Sequence, residues 1–144
     1  CNAGLESTVI GFDGVRAVLL RPGATPRSEI EAITGQLAEP DDDANRPHSP
    51  GRLLRHYAPA AKLRLDAEAP RTGELYVAFG PTSIEGALQL SAAGSTREAA
   101  ANLFALLREA DKRGAGAIAV APIPSDGLGE AINDRLRRAA AAQA

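Results

Sequence analysis

The chain has 144 residues, 44% apolar and 24% charged, with a net charge of -2. Such usage excludes a disordered or fibrous chain, and near-neutral charge excludes a global field drawing it to nucleic acid or acidic membranes. Aromatics at 3% without Trp argue against a base-stacking surface, and no apolar run approaches the roughly 20 residues that span a bilayer, so neither direct nucleic-acid binding nor a membrane is expected.

Cys1 is the one cysteine, which leaves no internal disulfide and no Cys-built metal cluster, and fits a reducing, cytoplasmic setting. The chain opens on Cys and meets an apolar segment almost at once, as expected of a fragment. Leu5 to Phe12 and Val15 to Leu20 are rich in Val, Ile and Leu, and Asp13-Gly14 between them predicts a hairpin turn. Thr25 is placed to cap a short helix with Pro26 in its first turn, Ile30 and Ile33 on one face and Gly35 as its stop. Residues 36–61 carry Pro40, Pro47, Pro50 and Pro59 and the acidic run Asp41 to Asp43, with little hydrophobic period, and are expected to connect two domains.

Lys62 to Leu65, Leu75 to Phe79 and Ala87 to Leu90 have the composition of short strands. Ser95 and Glu98 stand at capping-box spacing, and Ala99, Leu103, Leu106, Leu107 and Ala110 give one apolar helix face ending at Gly114. Ala117 to Val120 has the pattern of a buried strand. A last helix is expected from Asp126, with Leu128, Ile132, Leu136 and Ala139 inward and the alanine-rich end fraying into a tail. Alternation of strands and helices implies an α/β sheet.

Three stretches could carry chemistry. In Glu6-Ser7-Thr8-Val9 and Leu20-Arg21-Pro22-Gly23, polar groups interrupt apolar strands. Ser7 and Thr8 offer hydroxyls, and Arg21 a planar set of donors suited to carboxylate or phosphate. Their alternative is ordinary strand residues and a solvated strand end. Between Ala44 and Leu65 stand five basic side chains, Arg46, Arg52, Arg55, Lys62 and Arg64, and no acidic one, an anion-binding composition that also holds His56 and Tyr57. The alternative there is a linker packing through Leu53 and Tyr57. Pro124-Ser125-Asp126-Gly127-Leu128-Gly129 could bind an anion at a helix start, or be a plain turn; the glycine fingerprints of dinucleotide and phosphate loops are absent. Gly80-Pro81-Thr82-Ser83 is a similar loop, His48 a lone imidazole, and no metal site is expected.

Glu6-Ser7-Thr8-Val9 with Leu20-Arg21-Pro22-Gly23-Ala24, and Ser49-Pro50-Gly51 with Arg55-His56-Tyr57-Ala58-Pro59, resemble the L-threonylcarbamoyladenylate (threonylcarbamoyl-AMP) synthases. The ending around Gly127-Leu128-Gly129-Glu130-Ala131-Ile132-Asn133-Asp134-Arg135-Leu136 is similar to that family's smaller domain. The resemblance implies an α/β protein: a hairpin and helix from a YrdC-like catalytic domain over 1–36, a linker and active-site lid over 37–60, and a small Rossmann-like three-layer α/β/α domain over 61–144. It implies a nucleotidyltransferase joining L-threonine, bicarbonate and ATP into threonylcarbamoyl-AMP and pyrophosphate, for modification of adenosine 37 of tRNA. By motif position, Ser7 would hold threonine, Arg21 would contact ATP and Tyr57 would close over the nucleotide, with Thr8, Arg55 and His56 in support. Magnesium would come with ATP, held by phosphates and water. Leu53-Leu54 depart from the family's linker, which carries Lys or Met and then Tyr there. The front of the catalytic domain is not among these residues, so the fragment alone is expected to be inactive. The alternative reading is a docking or regulatory domain for tRNA-modification partners.

Overall fold

The computed structural model describes residues 4–40 and 59–143. Its first unit is a hairpin of β1 (Val9–Asp13) and β2 (Arg16–Arg21), antiparallel, with Ile10 opposite Leu19 and Asp13 opposite Arg16. The turn sits one residue later than expected, at Gly14 and Val15. Gly14 takes φ 62°, a left-handed value that costs glycine nothing and suits a two-residue hairpin loop. Helix α1 (Arg27–Thr34) follows, ended by Gly35 at φ 77°. Its N-cap is Pro26, with no side-chain cap, so Thr25 does not cap it; the Thr25 backbone is engaged by Thr8 instead. Nor do Ile30 and Ile33 share a buried face. Ile30 packs against Ala17, Leu19 and Leu37, while Ile33 is 88% exposed, because this short helix meets its neighbours along a single line.

The expected connecting segment begins with ordered structure. Leu37 is buried and Ala38 bridges Val18 in parallel, with Leu19 N–H donating to Ala38 O and Ala38 N–H to Ala17 O, both at 2.9 Å. Hydrophobic period could not find a strand-like contact this short.

The second unit is a four-stranded parallel sheet in the order β3 (Lys62–Arg64), β6 (Ala117–Val120), β4 (Glu74–Phe79), β5 (Leu88–Ser91). Alternation along the strands divides its faces. Val77, Leu88, Leu90, Ile118 and Val120 meet α2 (Thr96–Lys112) and α3 (Leu128–Ala141), while Tyr76, Ala78, Ala119 and Ala121 meet Ala67, Ile84 and Ala87. Both helices thus lie on one face. The α/β class and the hairpin ahead of a sheet stand as expected, and of three layers the described residues supply two. The reason is chain length: the crossovers over 65–73 and 80–87 are too short to carry a helix across the other face.

Ser95 caps α2, its Oγ accepting from Glu98 N–H at 3.3 Å. The return half of the capping box passes through a third residue. Fully buried Ser91 accepts from Ser95 N–H at 2.9 Å and donates to the Glu98 carboxylate. The last helix begins at Leu128 rather than Asp126, and buries Leu128, Ile132, Leu136 and Ala139 as expected. Its end is not a loose tail. Gln143 donates to Pro59 O and Ala61 O at 2.7 Å and accepts from Leu63 N–H at 2.9 Å, pairing the edge strand β3.

Candidate functional site

Residues 4–8 leave the hairpin and run onto the sheet unit. Gly4, at φ 68°, lies so close to α2 that a Cβ there would stand 2.4 Å from Ala101 Cα, and Leu5 is buried in the core beside Ala100 and Leu103. Leu5 is therefore an anchor in the second unit, not a hairpin residue. From that anchor Glu6, Ser7 and Thr8 cross the segment after β2. Ala24 N–H donates to Glu6 O at 2.9 Å, and Thr8 Oγ1 donates to Thr25 O at 2.7 Å while accepting from Thr25 N–H at 3.1 Å. The crossing requires glycine at 23: a Cβ would stand 2.4 Å from Glu6 O, Ser7 C and Thr8 N.

Ser7 and Arg21 meet at this crossing. Arg21 Nη2 donates to Ser7 O at 3.0 Å, while the Ser7 residue is exposed. Arginine thus engages the serine backbone and leaves its hydroxyl free of Arg21. Arg21 Nε is buried with no acceptor among the described residues. An unmet buried donor costs about 1–3 kcal/mol.

Two arginines tie the crossing to α3. Arg135, 10% exposed, gives Nε to Glu6 Oε2 at 2.9 Å, Nη1 to Asp134 at 2.6 Å and Nη2 to Pro22 O at 3.3 Å. Burial pushes the Glu6 carboxyl up, but the Arg135 hydrogen bond and charge, the backbone N–H of Glu6 and the charge of Arg21 together hold it below the usual carboxylate range. Arg27 of α1 binds Glu130 at 2.7 Å and Glu39 at 2.6 Å. Hydrogen bonding to Glu130 foremost, against partial burial and with help from Glu39, raises its guanidinium above the ordinary value. Glu6 belongs to the motif around Ser7, whereas Arg135 stands in the resembling stretch Gly127 to Leu136 without a role assigned to it: its partner lies 129 residues away, beyond any local pattern.

The other candidates fare differently. Tyr57, Arg55, His56, Arg46, Arg52, Leu53 and His48 lie outside the described residues. Arg64 is not available to an anion, because Glu74 holds it at 2.5 Å and 2.8 Å. That pairing, with the Arg71 N–H, holds the Glu74 carboxyl down to about 2. The turn before α3 is a packed turn. Gly129 allows no Cβ, which would fall 1.8 Å from Pro124 O, its N–H already serves Asp126 O at 2.9 Å, and Asn133 holds Ile123 O at 2.9 Å. Beside it a cleft of about 160 Å³ opens at the carboxyl ends of β3 and β6, with Asp66, Ser125, Asn133 and Arg137 at its wall. In the loop after β4, Thr82 Oγ1 accepts from Ile84 N–H at 3.2 Å, a local turn bond. Among the described residues no group of three or more His, Cys, Asp or Glu is placed to hold a metal, and no helix is long and apolar enough to cross a membrane.

Residues 25–141 match the family model described as threonylcarbamoyl-AMP synthase, C-terminal domain. The chain is 32% identical to a threonylcarbamoyl-AMP synthase of Pyrococcus abyssi, with 94% of this chain and 46% of that protein covered. It is 31% identical to that of Bacillus subtilis, with 95% and 45% covered. The crystal structure of P. abyssi Sua5 complexed with L-threonine superposes with a TM-score of 0.80 at 31% identity, over 97% of this chain and 47% of that one. The chain spans about half the length of the curated relatives it matches. A family model covering most of the chain, with the same fold in a solved relative, makes this chain a member of the threonylcarbamoyl-AMP synthase family, matching its C-terminal domain.

Proposed function

We propose that this chain serves as the rear wall and lid of a threonylcarbamoyl-AMP synthase, working in the cytoplasm. It would act with a catalytic half that supplies the remaining pocket for L-threonine, bicarbonate and ATP. The observation that carries this reading is the meeting of Ser7 and Arg21 across the hairpin, at 3.0 Å, on a crossing that Gly23 alone permits. A solved relative with L-threonine bound supports threonine as a substrate, and the Ser7 residue is exposed to receive it. Arg21, whose Nη2 reaches the Ser7 backbone, carries a planar charged guanidinium suited to an acceptor such as a phosphate of ATP, where it would offset charge as pyrophosphate departs. Tyr57, with Arg55 and His56, would cover the nucleotide and keep water from a labile carbamoyl intermediate, and Thr8 keeps the crossing in register. Magnesium would travel with the ATP phosphates. The described residues offer it no ligand set, so no step is assigned to it.

The test is pyrophosphate release in the full-length protein at varied threonine. Ser7→Ala is expected to raise KM for threonine about tenfold, and Arg21→Ala to lower kcat/KM for ATP about tenfold or more, as expected for losing a hydrogen bond to a charged group. Unchanged kinetics in both variants would sink the assignment. The 144 residues alone are expected to release none above background.

A further inference from the structure

We propose that Arg135 of α3 is a positioning residue for this site, holding the stretch that bears Ser7 and the turn that follows Arg21 at one distance from the sheet unit. The inference rests on the roles of Ser7 and Arg21 proposed above. Glu6 immediately precedes Ser7, and Pro22 immediately follows Arg21. One guanidinium reaches both, with Nε on the Glu6 carboxylate at 2.9 Å and Nη2 on Pro22 O at 3.3 Å. A planar fork can do this; a lysine ammonium, as a point charge, can serve the carboxylate alone.

The parts on either side allow little slack. Beyond the contact, the Glu6–Thr8 stretch is fastened to Ala24 and Thr25 and leaves no room for a side chain at Gly23, so it moves only with the turn it crosses. Behind the contact, Ile132 is fully buried and Leu136 nearly so, fixing the helix face that carries Arg135. Asp134 holds the third arm of Arg135 at 2.6 Å and is itself gripped by Arg138 at 2.9 Å. Arg135 is 10% exposed and Glu6 34%, so the arginine end of the contact is sheltered while solvent and salt still reach the carboxylate. Helix α3, which contributes no group to the proposed chemistry, therefore sets where Ser7 and Arg21 stand. Displacing them should weaken threonine binding more than it slows turnover of bound threonine.

The experiment uses the full-length protein with Arg135→Ala and Arg135→Lys, reading steady-state kinetics and amide hydrogen exchange. Arg135→Ala is expected to raise KM for threonine about tenfold with kcat within about threefold, matching the loss of a charge-assisted bond. The Ala24 and Thr25 amides should exchange faster while those of Ile118 to Val120 keep wild-type protection. Arg135→Lys should recover part of the KM, and it serves as the reporter should the alanine variant not fold. A threonine KM within about twofold of wild type in a folded variant overturns the proposal. Faster exchange spread equally over Ile118 to Val120 also overturns it, because Arg135 would then serve the whole fold. Should the unsubstituted protein show no threonine-dependent turnover, the roles of Ser7 and Arg21 fail by themselves. Exchange at Ala24 and Thr25 then decides whether Arg135 positions the crossing.

Discussion

Residues 9–38 gather three buried side chains, Ala17, Leu19 and Leu37, around a two-stranded hairpin and a helix that buries nothing fully. Residues 59–143 surround a parallel sheet with a continuous core in which Leu90, Leu103, Ile118 and Ile132 are all but sealed from solvent. A lone hairpin is marginal in water, whereas a sheet covered by two amphipathic helices sustains itself. Yet Ser7 and Arg21 belong to the weaker unit. What steadies them is borrowed: Leu5 buried in the stronger unit's core, and the charged contacts of Arg135 with Glu6 and Arg27 with Glu130. The comparison teaches that a site can sit on a minimal element when a rigid neighbour supplies its position.

The contrast can be broken most forcefully from the core. Ile132→Ala is expected to cost about 2–5 kcal/mol by opening a cavity under α3, lowering the thermal midpoint of both units together. Gly23→Ala should have a smaller and local effect, on the order of 1–3 kcal/mol, because its Cβ would meet the backbone of Glu6, Ser7 and Thr8. Hydrogen exchange should then show Ala24 deprotected while Tyr76 and Val77 stay protected; equal loss in both units would mean that they fold as one.

The mildest probe is acid. Glu74 is held at about 2, below its ordinary 4.5, so its contribution is present above the unfolded value and disappears as pH falls from near 4.5 toward about 2. Glu6, also lowered, adds to the same direction. Glu74→Gln should flatten the fall of the thermal midpoint across that range, and an unaltered slope would assign the acid sensitivity to other groups.

Much of the sheet unit was legible in the residues. The spacing of Ala99, Leu103, Leu107 and Ala110 gave α2 its buried face, and Ser95 and Glu98 gave its start, because period and capping act over four residues. The first unit was read less well. Leu5 had the composition of a strand but is buried elsewhere, and Thr25 had the chemistry of a cap but is bound by Thr8. In each case a partner distant in sequence won over the local preference. Arg64 shows the same rule, since its basic character among basic neighbours suggested an anion site until Glu74 proved to hold it.

By itself the sequence determined the alternation of strands and helices, the motif around Ser7 and Arg21, and the resemblance to a family. Those depend on residue type and short spacing. Only the tertiary structure decided that both helices cover one face, that Gly23 is where two backbones cross, and that Arg135 reaches back 129 residues to Glu6. Such contacts follow from how the chain closes on itself, and no local pattern encodes which charged side chain will lie opposite another once the core has packed.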